Sequence, residues 1–187
     1  MRAVKKYRSF PHTKEYQMIS HPLRAAILAG ALAITVSGVQ ADEGEFLRSL
    51  EGKWTGDGTV MVRTNASPIK VNCNFDSDTS ETSLSLDGNC RGLVVFSRAI
   101  RADLKATGTR YAGSYVGAGT GKAGLTGSRK GNAINLGIRW AKDVNGDRDA
   151  VMTVRKVGAN GMKLTTVDVD PASGKSVVTS QINLSRI

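Results

Sequence analysis

An alternation of apolar and polar residues constrains the fold of this chain more than any other feature. It is clear in residues 54–63, 69–76 and 134–140, where every second residue is apolar or glycine. Alternation with a period of two turns one set of side chains to each face of a β-strand, so these segments predict strands that bury one face. In the first segment the inward positions are Trp54, Gly56, Gly58, Val60 and Val62.

The rest of the chain after residue 41 follows a similar plan. Further strands are expected at residues 92–104, 110–117, 123–129, 150–156, 162–169 and 176–187. Short strands at regular spacing without a βαβ pattern predict an all-β chain, a single antiparallel β-barrel of about eight to ten strands. We prefer a closed barrel to the alternative, a β-sandwich, because closure leaves no exposed strand edge. Residues 43–50 form a helical candidate, a short turn before the first strand.

The clearest turn signal is Asn145-Gly146, which separates two alternating segments. A three-residue loop, 144–146, with Gly146 in the left-handed conformation, predicts the facing pairs Trp140 with Ala150 and Ile138 with Met152. Both apolar sets then lie on one face of the hairpin.

Cys73 and Cys90 are the two cysteines of the chain. A hairpin with a four-residue tip at 80–83 predicts these facing pairs: Cys73 with Cys90, Phe75 with Gly88, and Ile69 with Val94. In an exported chain two such cysteines are expected to form a disulfide, which contributes roughly 3 kcal/mol in the chain-entropy estimate. The alternative is a reactive or metal-binding thiol pair, for which the chain after residue 41 offers neither a histidine nor a third cysteine.

The N-terminus has the pattern of a secretory signal peptide. An uncharged apolar segment, Ala25–Gly38, follows the basic Arg24 and leads to Val39-Gln40-Ala41 and an acidic stretch. The apolar segment is shorter than the about 20 residues that span a bilayer. We predict cleavage after Ala41, a signal peptide of residues 1–41 with a possible true start at Met18, and a single barrel domain of residues 42–187. The protein is expected to be periplasmic or secreted, with no stable membrane insertion after cleavage.

Cleavage changes the charge and the chemistry of the chain. Residues 42–187 hold 20 Lys and Arg and 15 Asp and Glu, a net charge of +5 instead of +10, without basic clusters, so no nucleic-acid partner is expected. Both histidines precede residue 42. The usual general base, zinc ligand and haem ligand are then missing together, so we expect no enzyme, no metal and no cofactor.

Three motifs resemble functional loops but depart from them. Gly121-Lys122 has Val116 and Ala123 where a phosphate-binding loop needs Gly and Ser or Thr. Residues 143–149 alternate acidic and amide side chains like a calcium loop, but Gly146 stands at the fourth place instead of the sixth. The carboxylates of Asp168 and Asp170 are of the kind used in glycoside hydrolysis, but no spacing places a pair across a cleft.

Gly52, Trp54, Gly56 and Gly58 form the motif G-x-W-x-G-x-G in the first strand. It resembles the first strand of the calycin superfamily, which includes lipocalins, fatty-acid-binding proteins and nitrobindin-like haem barrels. The resemblance implies a barrel whose tryptophan closes one end against the N-terminal segment. The nitrobindin type also implies a histidine that binds haem, and residues 42–187 contain no histidine.

The leading hypothesis for function is a non-enzymatic exported barrel that binds a small apolar or amphiphilic ligand. The residues expected to face the lumen or the ligand are Trp54, Gly56, Phe75, Tyr111, Tyr115, Ile138 and Trp140. The same side chains can fill a solid core, so both a hollow and a filled barrel stay open. Alternatives are a protein–protein module, such as a protease or lysozyme inhibitor acting through residues 64–68 or 117–121, and a structural envelope protein.

Overall fold

The computed structural model describes residues 37–92, 96–117 and 119–187. The predicted signal peptide, residues 1–41, lies outside the described residues except for the backbone of its last five. Within the described part of the chain, no helix has the length and apolar character needed to cross a bilayer.

One helix and ten strands follow each other along the chain. They are α1 (Ser37–Arg48), β1 (Gly52–Val60), β2 (Ile69–Thr79), β3 (Ser83–Gly92), β4 (Phe96–Thr107), β5 (Arg110–Val116), β6 (Ala123–Lys130), β7 (Ala133–Val144), β8 (Asp147–Val157), β9 (Gly161–Val169) and β10 (Ser176–Arg186). Each strand pairs antiparallel with its neighbours in sequence, and β1 pairs with β10 to close the ring. The predicted all-β closed barrel is confirmed, and the alternative of a β-sandwich is wrong.

The two ends of the barrel differ. At one end, which we call the helix end, α1 enters and the strands are joined by short tips at 80–82, 108–109, 131–132 and 158–160. At the other, the loop end, lie the connections 61–68, 117–122, 145–146 and 170–175. Because an up-and-down barrel alternates its connections between the ends, the longer described connections all frame the same opening.

The β2–β3 hairpin forms in the predicted register. Cys73 faces Cys90 and Phe75 faces Gly88, and the backbone N–H of Ser80 donates to the Ser83 carbonyl across the tip at 2.9 Å. The two cysteines form the predicted disulfide, buried inside the barrel. The third predicted pair includes Val94, which lies outside the described residues.

The β7–β8 hairpin corrects the predicted register. Asn145 (φ 55°) and Gly146 (φ 98°) both adopt the left-handed conformation, which makes a two-residue turn with Val144 facing Asp147. Ile138 faces Ala150, not Met152, which instead faces Leu136. The three-residue loop was therefore wrong. The register shifts irregularly between Arg139 and Val144, and this irregularity keeps both apolar sets on the inner face.

The first strand is shorter than its alternation suggests. β1 ends at Val60, and Val62, predicted to point inward, lies in the following connection with 66% of its surface exposed. The register with β10 ends at Val60 as well. Val62 and Arg63 continue the alternation of apolar and polar residues in the sequence, although they lie outside the strand.

Glycines in β1 allow the ring to close. Gly56 faces Leu184 of β10, and a Cβ atom at Gly56 would overlap the backbone carbonyl oxygen of Asn183. A side chain at this point would push β10 away from β1, so a residue without Cβ is needed where the strands approach closely.

The helix end is filled by the core. Leu47 and Leu50 of α1 and Trp54 of β1 are completely buried. The Trp54 indole N–H donates to the Leu50 carbonyl at 3.0 Å, and the Arg186 guanidinium lies 4.4 Å from the centre of the Trp54 ring. Trp54 thus joins the N-terminal segment to the barrel, which agrees with the expectation from the calycin resemblance.

We predict that Gly56→Ala lowers the free energy of unfolding by about 2 kcal/mol, because the added methyl group overlaps backbone that cannot move without breaking the β1–β10 ladder. Urea unfolding followed by circular dichroism measures the change. Gly124→Ala is the matched control. Gly124 lies in β6 with nothing within 4 Å of its added Cβ, so the expected change is within about 0.5 kcal/mol. If both substitutions lower the free energy of unfolding by the same amount, the close approach of Gly56 to the β10 backbone is contradicted.

Candidate functional site

The barrel encloses a cavity of about 200 Å³ that reaches the loop end. All ten strands contribute residues to its wall. The barrel is therefore hollow over part of its length. Most of the wall is apolar: Val60, Met61, Val62, Ile69, Phe75, Leu84, Leu86, Ile100, Ala102, Leu104, Leu125, Leu136, Val144, Met152, Val154, Leu164 and Ile182. The polar side chains of the wall, together with Tyr115 and Trp140, lie toward the loop end.

The structure separates the predicted lumen residues into two groups. Phe75, Tyr115 and Trp140 line the cavity. The other four predicted residues, Trp54, Gly56, Tyr111 and Ile138, are not part of its wall. Trp54 and Tyr111 are buried at the helix end, and Ile138 packs in the core. Alternation identified the inner face correctly, but it does not say where along the barrel axis the interior is hollow.

An aromatic pair forms one wall of the cavity. The rings of Tyr115 and Trp140 meet edge to face, with centroids 6.0 Å apart and planes at 65°. Burial raises the pKa of Tyr115 to about 12, and the positive charge of Arg98 opposes part of this shift. The Tyr115 hydroxyl is therefore neutral at neutral pH and able to donate a hydrogen bond.

One polar atom of this pair lacks a protein partner. The Trp140 indole nitrogen is buried and has no hydrogen-bond partner among the residues that the structure describes. A buried donor without an acceptor costs about 1–3 kcal/mol.

At the loop end, side chains tie three connections together. Asn145 donates to the Asp168 carboxylate at 2.7 Å and accepts from the Thr64 backbone N–H at 3.2 Å. The Thr64 hydroxyl donates to Asp170 at 2.9 Å. The connections 61–68, 145–146 and 170–175 are thereby held to one another at the loop end.

Asp168 is part of the cavity wall although only 3% of its surface is exposed. Its second carboxylate oxygen accepts from the backbone N–H of Val169 at 2.8 Å, so both oxygens are engaged. Asp170 lies outside the wall, and its pKa is lowered by hydrogen bonds from the Ser173 hydroxyl and from Thr64. The two carboxylates thus act in positioning loops. The alternate positions of β9 could have identified Asp168 as inward-facing.

A buried ionic cluster seals the helix end. Glu43 is completely buried and accepts hydrogen bonds from the Tyr111 hydroxyl and from Nε of Arg129, the latter at 2.8 Å. Arg129 also pairs with Asp42. Burial, followed by the hydrogen bond to Glu43, raises the pKa of Tyr111. Sequence reasoning missed this cluster, although Glu43 precedes Leu47 by one helical turn and so shares its buried face.

The remaining predicted loops carry no visible site. Among residues 37–92, 96–117 and 119–187 no three His, Cys, Asp or Glu side chains are grouped to hold a metal ion. Asp149, part of the calcium-like segment, pairs with Arg139 instead. The site is thus an apolar cavity with an aromatic wall and an ordered rim.

The chain matches no known protein family and shows no significant similarity to a curated protein sequence. Its function is therefore argued from the geometry of the cavity.

We predict that Tyr115 makes stability fall with pH between about pH 10 and 12. Below pH 10 the tyrosine is protonated in both states. Above it the unfolded chain loses the proton first, because the folded pKa is raised to about 12 from 10.0, so the unfolded state binds fewer protons. From about pH 9 to 11 the wild type should lose on the order of 1 kcal/mol more than Tyr115→Phe.

Urea unfolding of both proteins at the two pH values measures this difference. Tyr111, whose pKa is also raised, is present in both proteins and cancels. If the wild type and Tyr115→Phe lose the same free energy of unfolding between the two pH values, the fold does not protect the Tyr115 hydroxyl from ionisation.

Proposed function

We propose that this protein is an exported, non-enzymatic barrel that holds a small apolar or amphiphilic molecule in the loop-end cavity. The cavity of about 200 Å³ inside the ring of ten strands is the observation that carries the proposal. Ligand sites in proteins are concave, mostly apolar and furnished with a few polar groups, which is the composition of this wall.

The asymmetry of the barrel supports the same conclusion. At the helix end, Trp54, Leu47 and the Glu43–Arg129 pair fill the interior. At the loop end, hydrogen bonds of Thr64 and Asn145 fix the rim. A rigid opening over an apolar hollow suits a molecule that enters from the loop end and leaves by the same route.

The side chains of the wall favour binding over catalysis. Its titratable groups are Arg98, Tyr115 and Asp168. Tyr115 keeps its proton to about pH 12, and both oxygens of Asp168 accept hydrogen bonds within the protein. Tyr115 is therefore not poised to exchange a proton near neutral pH, which general acid–base catalysis needs.

The inhibitor alternative receives less support. One of its two candidate segments, residues 64–68, begins at Thr64, which is held by Asn145 and Asp170 and is 9% exposed. An inhibitory loop that inserts into a cleft has to project from the surface, and the start of this segment is fastened to the barrel rim.

We predict that narrowing the cavity weakens ligand binding. Ala102 lies on the cavity wall in β4, so Ala102→Leu fills part of the hollow, while Ala99→Leu places the same side chain on the exposed face of the same strand. With toluene as probe in isothermal titration calorimetry, Ala102→Leu should weaken binding by about tenfold or more, and Ala99→Leu by less than about twofold. If both variants bind toluene as tightly as the wild type does, or if the wild type does not bind it, the cavity function is contradicted.

Export is predicted to leave a chain that starts at Asp42. The buried disulfide supports it, because disulfides persist in oxidising compartments. Intact mass spectrometry of the protein expressed from its full sequence in a Gram-negative host should give residues 42–187 with the cysteines oxidised, recovered in the periplasmic fraction. Protein found uncleaved in the cytoplasmic fraction would overturn the assignment.

A further inference from the structure

We propose that one side of the barrel, at the helix end, docks reversibly on an anionic phospholipid bilayer. The docking surface, which we call the basic face, consists of side chains from β5, β6, β8 and β9: Arg110, Lys130, Arg155 and Lys163. From the proposed function it takes only export, which places the chain beside the bilayers of the envelope. The cavity, which reaches the loop end, is not involved.

Strand pairing places the four cations next to one another. Arg155 of β8 faces Lys163 of β9 directly. Lys130 lies in the same row two strands away, because Ala133 faces both Lys130 and Arg155. Arg110 begins β5, the strand that pairs with β6. Positive charges spread over residues 110–163 of the sequence thus follow one another around the helix end.

This side of the barrel contains no acidic residue. Residues 104–142 and 150–167 contain neither Asp nor Glu. The two ranges include all of β5 and β6, most of β7, β8 and β9, and the tips 108–109, 131–132 and 158–160. Within the described residues, the cations that form ion pairs are Lys53, Arg101, Arg129 and Arg139. The basic face therefore has no carboxylate partner in the described part of the chain.

Acidic side chains at the borders of the basic face are engaged elsewhere. Asp42 and Glu43 both pair with Arg129. Asp57 lies two strands from Lys163 and accepts a hydrogen bond from a neighbouring asparagine at 2.9 Å. These carboxylates lower the positive potential at the edges of the face and leave its centre positive.

The pair of Arg155 and Lys163 costs stability in the isolated protein, because like charges directly opposite each other on neighbouring strands repel. Arg155 reaches a neutral acceptor, the amide oxygen of Asn132, at 3.4 Å. An anionic bilayer supplies the missing negative charge. Each Lys or Arg near such a surface strengthens binding by about fivefold.

The shape and the apolar content of the face favour a bilayer over a soluble polyanion. Val157, 48% exposed at the β8–β9 tip, lies on the same side of β8 as Arg155. Positions between the cations carry short side chains: Ala112, Ser128, Thr153 and Thr165. A flat surface that combines cations with an exposed aliphatic residue suits a bilayer interface, where apolar contact adds to the attraction of anionic headgroups.

The test measures binding of the purified protein to vesicles by sedimentation. One set of vesicles contains phosphatidylglycerol and phosphatidylcholine in equal amounts, and the other contains phosphatidylcholine alone. The wild type should bind the anionic vesicles about tenfold more tightly or better, because four cations contribute. Raising the salt concentration from about 0.05 M to about 0.5 M should release it, since salt screens exposed charges.

The double variant Arg155→Gln, Lys163→Gln should weaken binding to anionic vesicles by about tenfold or more. The matched control, Lys53→Gln with Arg101→Gln, also removes one Lys and one Arg. These two side chains lie on β1 and β4 and pair with aspartates, so the control should change binding by less than about twofold. All proteins are prepared with the same N-terminus, so that residues 1–41 contribute equally wherever they are retained.

Stability separates docking from a structural role. Lys163→Gln removes one of two like charges that face each other, so its midpoint of urea unfolding should equal or exceed that of the wild type. Weaker vesicle binding with undiminished stability supports the docking role. A lower midpoint would show that Lys163 stabilises the fold and would overturn the argument from repulsion.

A second pair of variants tests the apolar contact. Val157→Thr keeps the shape of the side chain and should weaken binding to anionic vesicles by about twofold. Val169→Thr is its control, because Val169 is 44% exposed at the loop end of β9, and it should leave binding unchanged.

The remaining outcomes decide against the proposal. Equal binding to both kinds of vesicle, or equal effects of the two double variants, overturns the docking surface. Binding to dextran sulfate without binding to either vesicle assigns the basic face to a soluble polyanion and overturns the bilayer. None of these results affects the binding of toluene, by which the cavity function is tested.

Discussion

The pairing of β1 with β10 is the interaction on which the rest of the structure depends. It joins residues at opposite ends of the chain, Trp54 with Arg186 and Val60 with Ser180, and turns a meander of hairpins into a ring. Closure satisfies the backbone groups that an open sheet would leave at its edges. It also creates an interior, because ten inward faces meet around one axis only when the ring is complete. Gly56 allows this contact by leaving room for the β10 backbone.

The barrel uses its two ends for different purposes. The helix end is a packed core with a buried carboxylate, Glu43, whose charge is met by Arg129 and the Tyr111 hydroxyl. Removing a partner from such a buried group is costly, so the end is held shut. At the loop end, polar side chains bind loops to one another and leave the centre to apolar residues. The small side chain of Ala102 forms part of the cavity wall.

Local patterns were sufficient for some elements and not for others. The β2–β3 hairpin was predictable to the residue, since regular alternation on both strands and a short tip permit one register, with Cys73 facing Cys90. The β7–β8 register was not, because the irregularity between Arg139 and Val144 leaves no mark in the alternation. Of the residues predicted to face the lumen, Phe75, Tyr115 and Trp140 line the cavity, while no local pattern predicts the hydrogen bonds of Asp168, Asn145 and Thr64. These three depend on contacts such as that between Thr64 and Asp170, which are 106 positions apart in sequence.

The sequence by itself determined the all-β class, the inner faces of β1, β2 and β7, and the disulfide, because these follow from a period of two and from residue types with strong local preferences. The tertiary structure alone decided that Tyr111 belongs to the filled end, that Tyr115 and Trp140 border a cavity, and that Glu43 is buried with Arg129. The reason is geometric. Alternation specifies the side of a strand on which a residue lies, whereas a cavity depends on how far along the axis that residue sits, and only ring closure sets this height for all ten strands together.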